Sequence, residues 1–298
     1  MFVCNKEVRI TGRFLRIARL DADEYQFASD PESLIEGLRK SGKHIDLFTF
    51  LQGLPETKPK YDYPVEWDNL AVLPISTFEN WWNNQIGFKA RNKAKQAEKK
   101  GVVIREVPFD ENLARGIWQI YNEAPVRQGR RFSHYGKDFE TVYKEEATYL
   151  DSSTFIGAFY GEELIGFIKL TADEARVQAG LMNIVSMIKH RDKSPTNALV
   201  AQAVRSCADR NISYMVYSNF TFGKKQHDTV SDFKERNAFQ RIDVPRYYVP
   251  LTFFGKVAFQ LGLHHRFVDH FPESLVGKLR ELRNKWNNRE LRSIRDAN

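Results

Sequence analysis

The stretch Ile188–Tyr217, "IKHRDKSPTNALVAQAVRSCADRNISYMVY", decides how this chain folds. It reads as the end of an apolar strand, a basic turn at Lys189, His190, Arg191 and Lys193, an amphipathic helix opened by Ser194-Pro195, and a second apolar strand ending at Tyr217. Serine at the N-cap and proline at the first helical position are helix-start signals, and strand–helix–strand is the building unit of an α/β sheet. A helix start carries roughly half a positive charge and several free amides, which suits a phosphate. The turn nevertheless holds no glycine, unlike the loops that cradle phosphates with their backbone. Two readings stand at this point: an anion site, or an ordinary βαβ unit with a solvated basic loop.

The rest of the chain narrows the setting. Its 298 residues suffice for about two domains, and 42% hydrophobic with 13% aromatic residues excludes broad disorder. Lys6, Glu7 and Arg9 interrupt the N-terminus before an apolar run can build up, so no signal peptide is expected. No apolar run is long enough to span a bilayer. Two cysteines, Cys4 and Cys207, are too few for a disulfide scaffold. The expected location is cytoplasmic, with peripheral contact at the inner face of the membrane through basic helices. A net charge of +7 favours anionic partners such as nucleotide cofactors, RNA or acidic lipid surfaces. The charge is clustered at 89–105, 127–131 and 189–193, and again after Lys278.

Patterning predicts strands within 7–28, a helix over "DPESLIEGLRKSG" capped by Asp30, and a buried strand in "HIDLFTFLQGL". The proline-rich "PETKPKYDYPVEWDN" is the best candidate boundary. Ser76-Thr-Phe-Glu79 looks like a capping box opening one long helix, with Trp82, Ile86, Ala90, Ala94 and Ala97 as its apolar stripe and Gly101 as its stop. Helices follow from Asp110 to Pro125 and from about Asp138 to Tyr149, then a hairpin around Gly161 and a long strand in "VQAGLMNIVSMI". Two short runs, "FQRIDV" and "RYYVPL", close the α/β part. Residues 1–70 thus form a reduced N-terminal α/β half, 71–251 the main domain, and 252–298 a basic helical extension.

Three constellations carry chemistry. The loop "PVRQGRRFSHYG" gathers Arg127, Arg130, Arg131, His134 and Tyr135 between two helices; arginine pairs with carboxylates and phosphates, and histidine titrates near neutrality. Tyr217, Ser218 and Asn219 end a strand, and ligands of α/β sheets bind beyond the carboxyl ends of strands. The lysine face of helix 89–100 suits RNA phosphates or acidic lipid head groups, or is simply a solvated surface. No serine-histidine-aspartate order or glycine elbow is present. His264 and His265 are adjacent, and adjacent residues point apart on a helix, so no metal site is expected there.

With these pieces placed, the segment from about Ala71 to Pro250 resembles the GNAT superfamily of N-acyltransferases, and within it the Fem-type aminoacyltransferases that build peptidoglycan cross-bridges. "RNKAKQAEKKGVVI", "ELIGFIKL", "SPTNALVAQAVRSCADRNISYMVY" and "DFKERNAF" carry the resemblance. It implies a mixed central sheet flanked by helices, and acyl transfer from acyl-CoA or aminoacyl-tRNA to an amine on a small-molecule or lipid-linked acceptor. The site it implies has His134 as base and Tyr217 as acid. Met187, Ile188, Lys189, Arg191, Ser194 and Asn197 would bind the carrier, the amides near Met187 and Ile188 polarising the acyl carbonyl. Arg127, Arg130, Tyr135 and Asn219 would bind the acceptor. The usual Asn-Gly-Phe closing turn is Asn237-Ala238-Phe239 here, so Asn237 is expected to adopt the left-handed conformation. The alternative is a non-catalytic RNA- or membrane-binding module on a GNAT-like scaffold.

Overall fold

The computed structural model describes residues 1–21, 26–127, 130–221 and 229–265; most of the expected C-terminal extension, including the basic cluster after Lys278, lies outside the described residues. In chain order the elements are β1 (Phe2–Val3), β2 (Lys6–Thr11), β3 (Ile17–Leu20), α1 (Pro31–Lys40), β4 (Leu47–Leu51), β5 (Val65–Pro74), α2 (Phe78–Asn80), a π-helical turn (Trp81–Gln85), α3 (Phe88–Lys99), β6 (Val102–Val107), α4 (Glu111–Asn122), β7 (Val126–Arg127) and β8 (Arg130–Arg131). They continue as α5 (Phe139–Glu146), β9 (Ser153–Tyr160), β10 (Glu163–Ala172), β11 (Gln178–Ser186), α6 (Pro195–Asp209), β12 (Tyr214–Asn219), α7 (Thr229–Arg236), β13 (Gln240–Pro250) and α8 (Phe253–Gln260).

Two compact units divide these elements, and neither is a consecutive segment. The first contains Met1–Ile86, Thr171–Leu181 and Val204–Phe267. Its strands lie in the order β1-β2-β3-β4-β13-β5-β12, followed by the first half of β11. The second contains Gly87–Leu170 and Met182–Ala203, with the second half of β11 beside β10, β9 and β6. The boundary expected at 70/71 therefore falls inside β5. That strand pairs with β13 from Val65 to Val72 and with β12 from Leu70 to Pro74, so it cannot be cut there. The proline-rich connection is likewise tied down: the Tyr247 hydroxyl accepts from the Lys60 amide at 2.7 Å and donates to Gln52 at 2.6 Å.

Local chemistry explains most elements. Asp30 caps α1 by accepting from the Ser33 amide, with Pro31 at its first position. Asp110 and Asp138 cap α4 and α5 in the same way. All five residues of β4 are buried, as its continuous apolar run requires. Several expectations change. The helix at 76–100 is broken, because Ile86 and Gly87 are extended (ψ 135° and 140°), and a π-helical turn precedes them. Thr77, not Ser76, caps α2. Trp81 rather than Trp82 is fully buried, its indole donating to the Asn237 carbonyl at 3.1 Å, while Ala90, Ala94 and Ala97 do form the buried stripe of α3. The two runs expected at 240–250 are one strand. Its Pro245 is tolerated because its carbonyl faces Gln52, past the last β4–β13 pair at Arg246–Leu51, so the missing N–H falls beyond that ladder.

A further change lies in the closing turn. Ala238, not Asn237, takes the left-handed conformation, with φ of 69°. A Cβ there costs about 1–2 kcal/mol, of which glycine's greater unfolded-state freedom takes back about 0.5–1 kcal/mol. Ala238→Gly is therefore expected to stabilise the protein by about 0.5–1 kcal/mol, read as a higher urea midpoint at unchanged slope.

Candidate functional site

Strand β11 changes character half-way. Its parallel ladder with β12 covers only Gln178–Tyr214, Ala179–Met215 and Gly180–Val216. Up to Leu181 its residues are buried; Met182–Ser186, the part in the second unit, are all half-buried. The strand thus runs on for several residues after that ladder has ended.

This stretch is tied down by two polar clusters within the second unit. In the first, the buried Glu146 carboxylate accepts from the Tyr121 hydroxyl at 2.7 Å and from the Asn183 amide at 3.0 and 3.1 Å. The buried Lys169 ammonium donates to the carbonyls of Glu146 (2.7 Å) and Thr148 (2.8 Å) and to the Thr148 hydroxyl (3.0 Å). Burial raises the Glu146 carboxyl above its usual range against the pull of Tyr121 and Lys169. It also lowers Lys169 and raises the Tyr121 phenol well above 10. Every group here is hydrogen-bonded, which is the condition for keeping charges in a core.

The second cluster is built on Glu123. Its carboxylate accepts from the backbone amides of Ile188 (2.7 Å) and Lys189 (2.9 Å), and from Arg127 at 3.2 Å. Arg127 also donates to the carbonyls of Ser186 and Ile120, both at 2.6 Å, and lies over the Phe132 ring. Arg127 is thus a clamp on the end of β11, not a free acceptor-binding group. The proposed oxyanion donors are occupied too: the Met187 amide bonds the Ile165 carbonyl at 2.8 Å, and Ile188 is taken by Glu123. Neither amide is available to an acyl oxygen in this arrangement.

The basic turn is also largely neutralised. Lys189 and His190 both engage Glu163, at 2.5 and 3.0 Å, and Lys189 chiefly holds that carboxyl below its usual range. Asp192 pairs with Lys100 and Lys193. Arg191 is exposed. Helix α6 does start at Pro195, but Ser194 before it is left-handed (φ 56°), unlike the extended geometry of an N-cap. Asn197 is buried in the first turn of α6.

Of the remaining expected residues, His134 is placed tellingly. Its ring stacks on Tyr121 at 4.3 Å and lies 5.2 Å from Phe132, with Glu145 at 3.9 Å. Burial, reinforced by Lys137 and opposed by Glu145, holds its pKa below 6.5, so it is neutral at physiological pH. Arg130 and Tyr135 are exposed near it in sequence. In the first unit, burial pushes Tyr217 up to about 12, and the Lys234 ammonium lies 4.6 Å from its ring centre. The Asn219 carbonyl accepts from that ammonium at 2.5 Å. A surface pocket of about 460 Å³ lined by Arg105, Arg115, Glu162 and Glu163 contains none of the expected catalytic or binding residues.

His264 and His265 correct the sequence argument against them. They stand in a turn beyond α8, where helix faces do not apply, and both Nε2 atoms approach Glu66 Oε1, at 2.8 and 3.2 Å.

No protein-family model matches the sequence, and no curated protein matches it. Solved structures do. FemX superposes with TM-score 0.54 and 10% identity over 86% of each chain. The chain has a GNAT-like, Fem-type fold. The C-terminal domain of a protein assigned as a lysylphosphatidylglycerol synthetase, from Agrobacterium fabrum, gives TM-score 0.54 at 13% identity over 87% of this chain and 86% of that one. L-PGS from Bacillus licheniformis gives 0.53 at 11% over 86% and 84%. In this Fem-type fold, Glu123, Glu146, Lys169 and Asn183 are the groups that sequence reasoning missed. Two left a trace: Lys169 interrupts the apolar run "LIGFIKL", and Glu146 falls one turn after the buried Val142 on α5.

Proposed function

We propose that the chain is an N-acyltransferase that moves an acyl or aminoacyl group from acyl-CoA or aminoacyl-tRNA to an amine on a cell-envelope or surface-glycan precursor. The observation that carries this reading is the second half of β11: Met182–Ser186 continue as strand after the ladder with β12 has ended, and are half-buried. A strand edge of that kind accepts an extended ligand through main-chain hydrogen bonds, and the amide-rich arm of a carrier fits it. Asn183–Glu146 and Arg127–Ser186 fix the strand in place, the latter by taking the Ser186 carbonyl.

In the reaction the acceptor nitrogen attacks the carbonyl carbon of the carrier ester or thioester. The new C–N bond forms as the C–O or C–S bond breaks. His134, neutral because burial depresses its pKa, takes the proton leaving the amine. The departing thiolate or alkoxide takes up a proton from solvent. The fold shared with FemX and with the domain assigned as a lysylphosphatidylglycerol synthetase supports transfer of an acyl or aminoacyl group.

A thermal-shift screen with acetyl-CoA, CoA and aminoacyl-tRNA tests the reading. A donor at 100 times its Kd stabilises the native state by about 2.7 kcal/mol, and the compound that raises the Tm names the donor. No shift with any of them counts against catalysis. The exposed lysine face of α3 supports a second reading, a binding module for RNA or acidic membranes. That reading predicts salt-sensitive binding without turnover.

A further inference from the structure

We infer that Glu66, His264 and His265 form a binding site for a divalent transition-metal ion, zinc by the chemistry of its ligands. All three lie in the first unit. Glu66 stands near the start of β5, and the two histidines end the turn after α8. The turn is fixed by Leu263 N–H to the Ala258 carbonyl (2.9 Å), His265 N–H to the Gly262 carbonyl (3.1 Å), and Gly262 at φ 70°. It sets the imidazoles side by side, ring centres 4.1 Å apart, with both Nε2 atoms toward one carboxylate.

The spacing suits a metal. One ligand atom from each residue lies within 4.8 Å of the others. Ligands about 2.0–2.1 Å from a tetrahedral zinc stand about 3.3 Å from one another, close to the 2.8 and 3.2 Å already present between each histidine and Glu66. Two imidazoles and a carboxylate form a donor set that zinc favours, whereas calcium and magnesium require oxygen alone.

The support around the ligands is preformed on one side and open on the other. The His264 side chain is 2% exposed, stacked on Phe259 at 4.7 Å and against Tyr248 at 4.7 Å, so its ring orientation is set before an ion arrives. The side chains of His265 and Glu66 are 42% and 31% exposed, which gives the ion an entry path and leaves room for water as a fourth ligand. Arg246, opposite Glu66 in the ladder, bonds Asp68 at 2.7 Å. A bound ion would join β5 to the turn after α8, across a sequence separation of 198 residues, and its binding free energy would add to the stability of the fold.

Titration of the chelator-treated full chain with zinc sulfate, against a colorimetric competitor, tests this. The expected result is one saturable zinc per chain and a raised Tm, with cobalt(II) giving the visible absorption of a tetrahedral centre. His265→Ala, at an exposed side chain, and Glu66→Gln, at a half-buried one, are expected to weaken zinc binding at least about tenfold and to remove the Tm rise, while the zinc-free variants melt near the parent. Absence of saturable zinc binding overturns the site. So does zinc binding that survives both substitutions unchanged, which would leave Glu66 and the histidines as an ion pair only. Neither outcome bears on acyl transfer.

Discussion

Lys169→Ala is expected to destabilise the protein by about 3–5 kcal/mol, the range for breaking a buried charged network by removing one partner. Lys169 is 2% exposed, and its ammonium serves three acceptors, the carbonyls of Glu146 and Thr148 and the Thr148 hydroxyl. Removing it leaves those oxygens short of a donor and strips the buried Glu146 carboxylate of an attracting charge. It also empties volume beside the Phe155 ring. Lys169→Met refills that volume without restoring a donor, so it should recover only the packing part. Urea unfolding at constant slope measures both. A cost below about 1 kcal/mol for Lys169→Ala, the size of a surface change, would show that the network contributes little.

His134→Ala should lower kcat by about 10²–10⁴-fold, the share a positioned base contributes. The pH dependence separates this from a structural role. In the proposed reaction the neutral imidazole is the working form, and burial with Lys137 lowers its pKa from 6.5. Turnover by the parent should therefore hold steady through neutrality and fall as pH drops through a value below 6.5. That acidic limb should vanish from the residual activity of His134→Ala. Stability carries the same sign: between the folded pKa and 6.5 the unfolded chain binds more protons at this residue, so its contribution falls as pH falls through that window. Unchanged turnover in His134→Ala would remove the assignment.

The fold was legible wherever one local rule dominated. Capping aspartates at 30, 110 and 138, the apolar run of β4 and the glycine at 161 each point to one structure. The 76–100 helix misled because its stripe of Trp82, Ile86 and alanines keeps helical spacing across a break; two extended backbone angles at Ile86 and Gly87 leave no mark in that pattern. The site was half legible. The loop 125–136 is polar, as its residue types imply, yet the sequence could not show that Glu123 occupies the amides of Ile188 and Lys189. Partners 65 and 66 residues apart meet only through the tertiary fold. The same holds for Glu66 and His264, where a helix rule was applied to a turn.

The central claim is that an acyl carrier lies along β11 beyond its ladder with β12. Hydrogen exchange of the amides in Met182–Ser186, with and without acetyl-CoA or aminoacyl-tRNA, tests it directly. Main-chain bonding to the carrier should slow exchange in that stretch with one donor and leave the fully buried β4 unchanged. Donor binding that leaves Met182–Ser186 exchanging at the free rate would contradict the account.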